Sequence, residues 1–209
     1  MKRWERSILI LVLLLAAYAG DYLTGHHLFT VGEAPQAEDN ARLLALLGSL
    51  DGKLDAPVKK SSCAIQGPLP DHACTPGSVF PEAATSTICV SGYTQTVRNV
   101  PVRVKKQIYA NYGISYPQKS GTYELDHLVP LELGGNNSVA NLFPEAASPT
   151  PGFREKDIVE NYLHESVCSG QVSLSAAQEQ IANDWAAVYR MLPTSSVIRL
   201  KQKYQSWAD

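Results

Sequence analysis

The sequence predicts an α+β fold in which a short strand, a glycine turn, a second short strand and a helix follow one another, flanked by further helices. Three observations carry this expectation. Residues 121–129 alternate in the manner of a strand, and Pro130 stops regular pairing. Gly134-Gly135-Asn136-Asn137 has turn composition, and the short stretch 140–143 after it reads as a second strand ended by Pro144. Beyond the breaker Pro149-Thr150-Pro151-Gly152, residues 153–168 read as one helix closed by Gly170.

The 209-residue chain is 44 % hydrophobic and 18 % charged, ordinary for a globular protein with a real core. Its first residues stand apart. Lys2, Arg3 and Arg6 precede an apolar run over 8–17, and Ala17-Tyr18-Ala19 offers a small-residue cleavage site before Gly20, the pattern of a secretory signal peptide. The run is shorter than the roughly 20 residues that span a bilayer. Cleavage is therefore expected, with an uncleaved membrane anchor as the alternative. Residues 1–19 are assigned as signal peptide and the protein as exported, periplasmic or secreted. Residues 20–86 come next as linker, short helix and cysteine-containing loop. The helix is expected over 37–50, where Leu43, Leu44, Leu46, Leu47 and Leu50 recur at near-helical spacing. The stretch 55–87 is rich in Pro, Ser, Thr and Gly and reads as loop.

The compact domain is expected over 87–209. Pro101 suits the first turn of a helix and Gly113 its end, so 101–112 is predicted helical with Ile108, Tyr109 and Tyr112 inward. Ser175 with Gln178 reads as a capping-box start, and Leu174, Ala177, Ile181, Trp185 and Val188 as one buried stripe.

Loss of residues 1–19 removes Lys2, Arg3, Arg6 and Glu5 and moves the formal charge from −2 to −4. A globally acidic chain is a poor general binder of nucleic acid, so any such binding must be local. Residues 83–123 contain no Asp or Glu but carry Arg98, Arg103, Lys105, Lys106 and Lys119. Residues 185–208 are also free of acids and carry Arg190, Arg199, Lys201 and Lys203. Ordinary solvated faces are the plainer reading of both stretches.

Four cysteines in an exported chain suggest two disulfides among Cys63, Cys74, Cys89 and Cys168. Three pairings are possible; a local Cys63–Cys74 loop with a long-range Cys89–Cys168 staple is preferred. A zinc site is the weaker reading, since no Cys-x-x-Cys pair occurs.

Residues 124–135 read Glu-Leu-Asp-His-Leu-Val-Pro-Leu-Glu-Leu-Gly-Gly, and Asn141-Leu142 comes after a polar turn. A carboxylate, an imidazole, a glycine turn and an amide this close together can hold one divalent cation beside one general base, which hydrolysis of a phosphodiester requires. The surrounding landmarks include Cys74-Thr75-Pro76-Gly77, Ile88-Cys89, Gly92-Tyr93, Thr96-Val97-Arg98, Lys156-Asp157, Glu160-Asn161, Val167-Cys168-Ser169-Gly170 and Asp184-Trp185. Taken in order, they resemble exported bacterial HNH-type (ββα-metal) endonucleases over roughly half the chain.

That resemblance implies a ββα-metal core with additional helices, and a cation-dependent nuclease. It makes His127 the general base, Asp126 a metal ligand and Asn141 the brace of the loop between the strands. The helix position that is His or Asn in the family has no unique match here. Lys156, Asp157, Glu160, Asn161 and His164 stand near it, and Asp157 is taken as the second metal ligand, with Lys156 meeting a phosphate. Many HNH nucleases carry a structural zinc, which disulfides would replace in this chain.

The mechanism expected from these residues has neutral His127 deprotonating a water, its tautomer held by Asn141 or a backbone carbonyl. Arg98 would hold the scissile phosphate. The cation is expected to be Mg²⁺, with Mn²⁺ as the alternative, since an oxygen-rich site with few ligands suits it. Glu124 shares the Asp126 face and is a supporting or alternative ligand. One geometric objection stands: neighbouring strand residues point to opposite faces, so Asp126 and His127 meet one phosphate only if the strand bends or ends there.

The substrate is expected to be DNA, with RNA as a further candidate. The alternative is a catalytically inactive nuclease-fold binding module outside the cytoplasm; a hydrolase of another phosphoester is the third reading. Plainer roles accompany each residue: a surface pair for Asp126 and His127, a salt bridge for Arg98, helix-start charge compensation for Asp157. Glu132 reads as a solvated turn residue, and His26, His27 and His72 receive no role.

Overall fold

The computed structural model describes Leu54 and residues 56–204. The expected signal segment, the linker and the helix over 37–50 lie outside the described residues. The described chain is mostly helical with one small sheet, so the α+β expectation holds. Strand β1, Tyr123–His127, pairs antiparallel with β2, Leu142–Ala146, with Tyr123 opposite Ala146 and His127 opposite Leu142. The second strand departs from expectation at both ends. Residues 139–141 form a 3₁₀ turn before it, and β2 runs through Pro144, which stands opposite Leu125. In a two-stranded sheet each strand is an edge, where a missing N–H is tolerated.

Helices surround this ribbon. The short α1, Thr85–Ile88, and α2, Tyr93–Val97, lie in a stretch with no readable apolar period. Helix α3, Val102–Asn111, starts just after Pro101 and buries Ile108 and Tyr109, with Tyr112 buried at its end. Helix α4 is Phe153–Cys168, α5 is Leu174–Met191 and α6, again unforeseen, is Thr194–Lys203. The capping box expected at Ser175 is displaced: Ser173 is the N-cap, and its hydroxyl accepts from Ala176 N at 3.2 Å. Gln178 instead turns inward and donates to the Leu133 carbonyl at 2.7 Å. Helix α5 is broken at Asp184, whose carboxylate accepts from Ala187 N at 2.8 Å and so caps the second half.

The core lies where α4 and α5 pack beside the ribbon. Val159, Leu163, Ile181 and Trp185 bury themselves with Leu128, Leu133, Leu142 and Phe143. The segment before α1 is packed onto this body. Cys63 N donates to Asn111 O at 2.9 Å, Thr75 Oγ1 lies 2.7 Å from the Tyr112 hydroxyl, and Gly77 N donates to Ala140 O at 2.9 Å. The disulfides are Cys63–Cys74 and Cys89–Cys168, the preferred pairing. The second joins residues 79 positions apart, and chain entropy alone assigns such a closure ~4 kcal/mol. Two disulfides suggest an oxidising, extracytoplasmic environment. Among the described residues no helix is long and apolar enough to cross a membrane.

Two contacts hold the parts that matter for function. Between the strands, Asn141 donates to Val129 O and Asn136 O and accepts from Val129 N, each at 2.9 Å, so it braces the loop as expected. Gly135 sits against this brace, and a Cβ there would run into the Val129 carbonyl. Helix α6 is clamped to α4 through Glu165, which accepts from Arg199 at 2.8 Å, Lys203 at 2.8 Å and the Tyr204 hydroxyl at 3.0 Å. Burial works against the charge of Glu165, but these donors outweigh it and hold the carboxyl at about 2.

Gly135→Ala is expected to destabilise the fold by more than about 2 kcal/mol, since backbone must move; urea denaturation measures this. Glu165 is depressed in the folded state, so its contribution is complete above its unfolded pKa and lost as pH falls toward 2. Partial exposure of its partners reduces that contribution to on the order of 1–2 kcal/mol. Denaturation midpoints should therefore fall more steeply below about pH 4.3 in wild type than in Glu165→Gln.

Candidate functional site

Strand β1 ends at His127, where Leu128 and Val129 are buried and Pro130 leads into a 3₁₀ turn, Leu131–Leu133. This ending removes the geometric objection: Asp126 and His127 both line one cavity of about 390 Å³. His127 is only 4 % exposed. Its Nε2 lies 3.1 Å from Asn137 Oδ1. The Asn137 amide is oriented in turn, because its Nδ2 donates to Val97 O at 2.8 Å. Oδ1 therefore faces the imidazole as acceptor, Nε2 carries the hydrogen, and Nδ1 keeps the lone pair. Burial pushes His127 below the usual histidine range, with the Asp126 charge pulling the other way. The ring is neutral at neutral pH.

Behind this pair lies a buried ammonium. Lys156, in the first turn of α4, is fully buried; its Nζ donates to Asp126 Oδ2 and to the His127 carbonyl, both at 2.7 Å, and also contacts Glu160 one turn on. Burial disfavours its charge, but the ionised Asp126 foremost outweighs this and keeps it protonated. Asp126 also accepts from His127 N at 2.8 Å. Burial opposes its ionisation, yet the Lys156 charge beside it holds it down at about 2. Glu145 is 1 % exposed with neither carboxyl oxygen hydrogen-bonded, and burial pushes it well above the glutamate range, so it is neutral. Its neutral state also relieves repulsion with Glu124, directly opposite on β1.

The cavity has an acidic floor and a basic rim. Glu132, Asp157 and Glu160 join Asp126 in its wall, while Arg98, Arg154 and Lys201 also line it. Desolvation of its carboxyl, then the charge of Asp126, push Asp157 up to about 7. Desolvation, then Asp157, push Glu132 up to about 7 as well. Glu132 Oε1 is buried with no hydrogen-bond partner. Carboxyl oxygens held short of positive charge fit a hard divalent cation, which takes one or two carboxylates and keeps its waters. Asp126 and Asp157 both line the cavity, but both Asp126 oxygens are already engaged, Oδ2 by Lys156 Nζ and Oδ1 by His127 N. Among the described residues, the one trio of His, Cys or acidic ligand atoms within 4.8 Å is Cys89, His164 and Cys168. There the two sulfurs are joined to each other, leaving no thiolate for a metal.

The structure thus brings together Asp126, His127, Arg98 and Asp157. Four expectations need correction. Lys156 does not line the cavity and is committed to Asp126, so it holds the site from behind instead of meeting a phosphate. Glu124 is exposed on β1 and outside the cavity wall, so it acts on Asp126 through charge alone. Glu132 is a wall residue, not a solvated one, because the 3₁₀ turn directs it toward α4. The tautomer is set by Asn137 rather than Asn141, which is fully engaged with backbone. Nothing in the turn sequence distinguishes Asn137 from Asn136. Glu145 did leave a signal, as a carboxyl directly after the apolar Leu142-Phe143-Pro144.

A cation held by Asp157 would displace the proton of that carboxyl, so affinity for Mg²⁺ or Mn²⁺ should rise as pH increases through 7. Calorimetry in two buffers of different ionisation enthalpy reads the protons released, and Asp157→Asn should reduce their number. Compared with known proteins, the chain matches no family model, no curated protein and no solved structure.

Proposed function

We propose that the protein is an exported HNH-type phosphodiester hydrolase acting on nucleic acid, with His127 as general base. The observation that carries this reading is the imidazole itself: neutral, tautomer-locked by Asn137, and sharing a cavity with Asp126 and a rim of arginines. Arg98 and Arg154 bind the substrate phosphate and neutralise its approach to an acidic floor. His127 Nδ1 takes a proton from the attacking water as the new P–O bond forms. The P–O bond to the leaving nucleoside breaks, and that oxygen is protonated from solvent. Asn137 stabilises the imidazolium that results, since its Oδ1 already accepts from Nε2. A divalent cation held by Asp126 and Asp157, Mg²⁺ first and Mn²⁺ second, would neutralise the non-bridging oxygens and the leaving alkoxide. The order strand, turn, strand, helix, with the base at the end of the first strand, supports a ββα-metal core.

A second reading has its own observation. The Lys156 ammonium already satisfies Asp126 and the His127 carbonyl, as a bound cation would. On that reading the fold is an extracytoplasmic binding module without turnover.

Purified protein with Mg²⁺ should cleave labelled oligonucleotides or nick plasmid. His127→Ala should lower the rate by at least about 100-fold, with an unchanged circular dichroism spectrum. Asn137→Ala should give a smaller loss and shift the acid limb of the pH–rate profile. Wild-type rates in His127→Ala would refute the assigned base, and cation-independent folding without any cleavage would favour the binding module.

A further inference from the structure

We propose that α6 makes this cavity selective for a single polynucleotide strand over a duplex; this rests on the nucleic-acid reading of the site. The reacting groups are not on an open face. His127 is 4 % exposed and lies in a cavity of about 390 Å³, which is the scale of a pocket for one small molecule. Part of the wall is α6, through Leu200, Lys201 and Tyr204, and part is the end of α2, through Thr94 and Arg98.

A duplex is stiff over many base pairs and presents its phosphates on a convex surface. That stiffness limits how far one phosphate descends into a cavity of this size while the strands stay paired. A single strand bends at each nucleotide and can turn one base out of line. Tyr204 supplies aromatic surface for that base. Arg98, Arg154 and Lys201 supply charge for the phosphates.

The wall is also held in place. Glu165 on α4 binds Arg199, Lys203 and Tyr204 of the α6 segment, and Leu200 between them is 1 % exposed. Glu165 itself does not line the cavity. It can therefore be changed to loosen α6 without replacing a cavity residue, and of the groups that meet substrate only Tyr204 loses a hydrogen bond.

The test measures binding and cleavage separately. The full chain carrying His127→Ala, in Mg²⁺, is titrated into a fluorescein-labelled DNA strand and into the same strand annealed as duplex, with anisotropy as readout. The single strand should bind about tenfold tighter. Adding Glu165→Ala should narrow that ratio by raising duplex affinity, and Arg199→Ala with Lys203→Ala should do the same from the exposed side if Glu165→Ala folds poorly. Equal or tighter duplex binding, or a ratio unmoved by both α6 variants in folded protein, overturns the proposal. Strand preference without cleavage by the His127-containing chain upholds it and sinks the hydrolase reading alone.

Discussion

The ammonium of Lys156 is the constraint around which the rest of the site is built. Moving an unpaired lysine into a protein interior costs several kcal/mol, and here the cost is offset by Asp126, the His127 carbonyl and Glu160. Because one nitrogen holds both the side chain of residue 126 and the backbone of residue 127, the end of β1 and the first turn of α4 move as one body. The imidazole then leaves the strand in a fixed direction, toward Asn137. A two-stranded ribbon is marginal alone, so this internal ion pair supplies rigidity that the sheet lacks.

That single positive charge sorts the carboxyls around it. Asp126, which accepts from both Lys156 and His127 N, is pushed low, while Glu145 and Glu160 are pushed up by burial and Asp157 and Glu132 stand near 7. One cavity therefore contains carboxyls of very different acidity, set by hydrogen bonding and by burial. The basic rim answers a difficulty posed by the chain's net negative charge. Arg98, Arg154 and Lys201 come from three separate elements, so a positive edge exists locally on a protein that is acidic overall.

The outer frame keeps these parts in register. Cys89–Cys168 ties the end of α1 to the end of α4, just ahead of the α2 segment that carries Arg98 and the Val97 carbonyl. Asn141 fixes the path between the strands, and Glu165 holds α6 against α4. Each connection reaches from the α4 side or the ribbon to an element that shapes the cavity. Stability and site geometry thus depend on the same contacts.

Local patterns were readable where a few neighbouring residues settle the outcome. Helix α4 came out between its breaker and Gly170, the stripe Ala177–Ile181–Trp185–Val188 is buried, and Asp126, His127, Arg98 and Asp157 do share a wall. Charge, cysteine usage and turn chemistry act over short distances, and a linear reading captures them. Partnerships across the chain were another matter. His127 meets Asn137 ten residues away, Lys156 meets Asp126 across thirty, and α6 reaches Glu165 across thirty-eight. Whether an amide orients a base, or a lysine faces a phosphate or a core, depends on where the backbone carries each group, and only packing of the finished fold decides that.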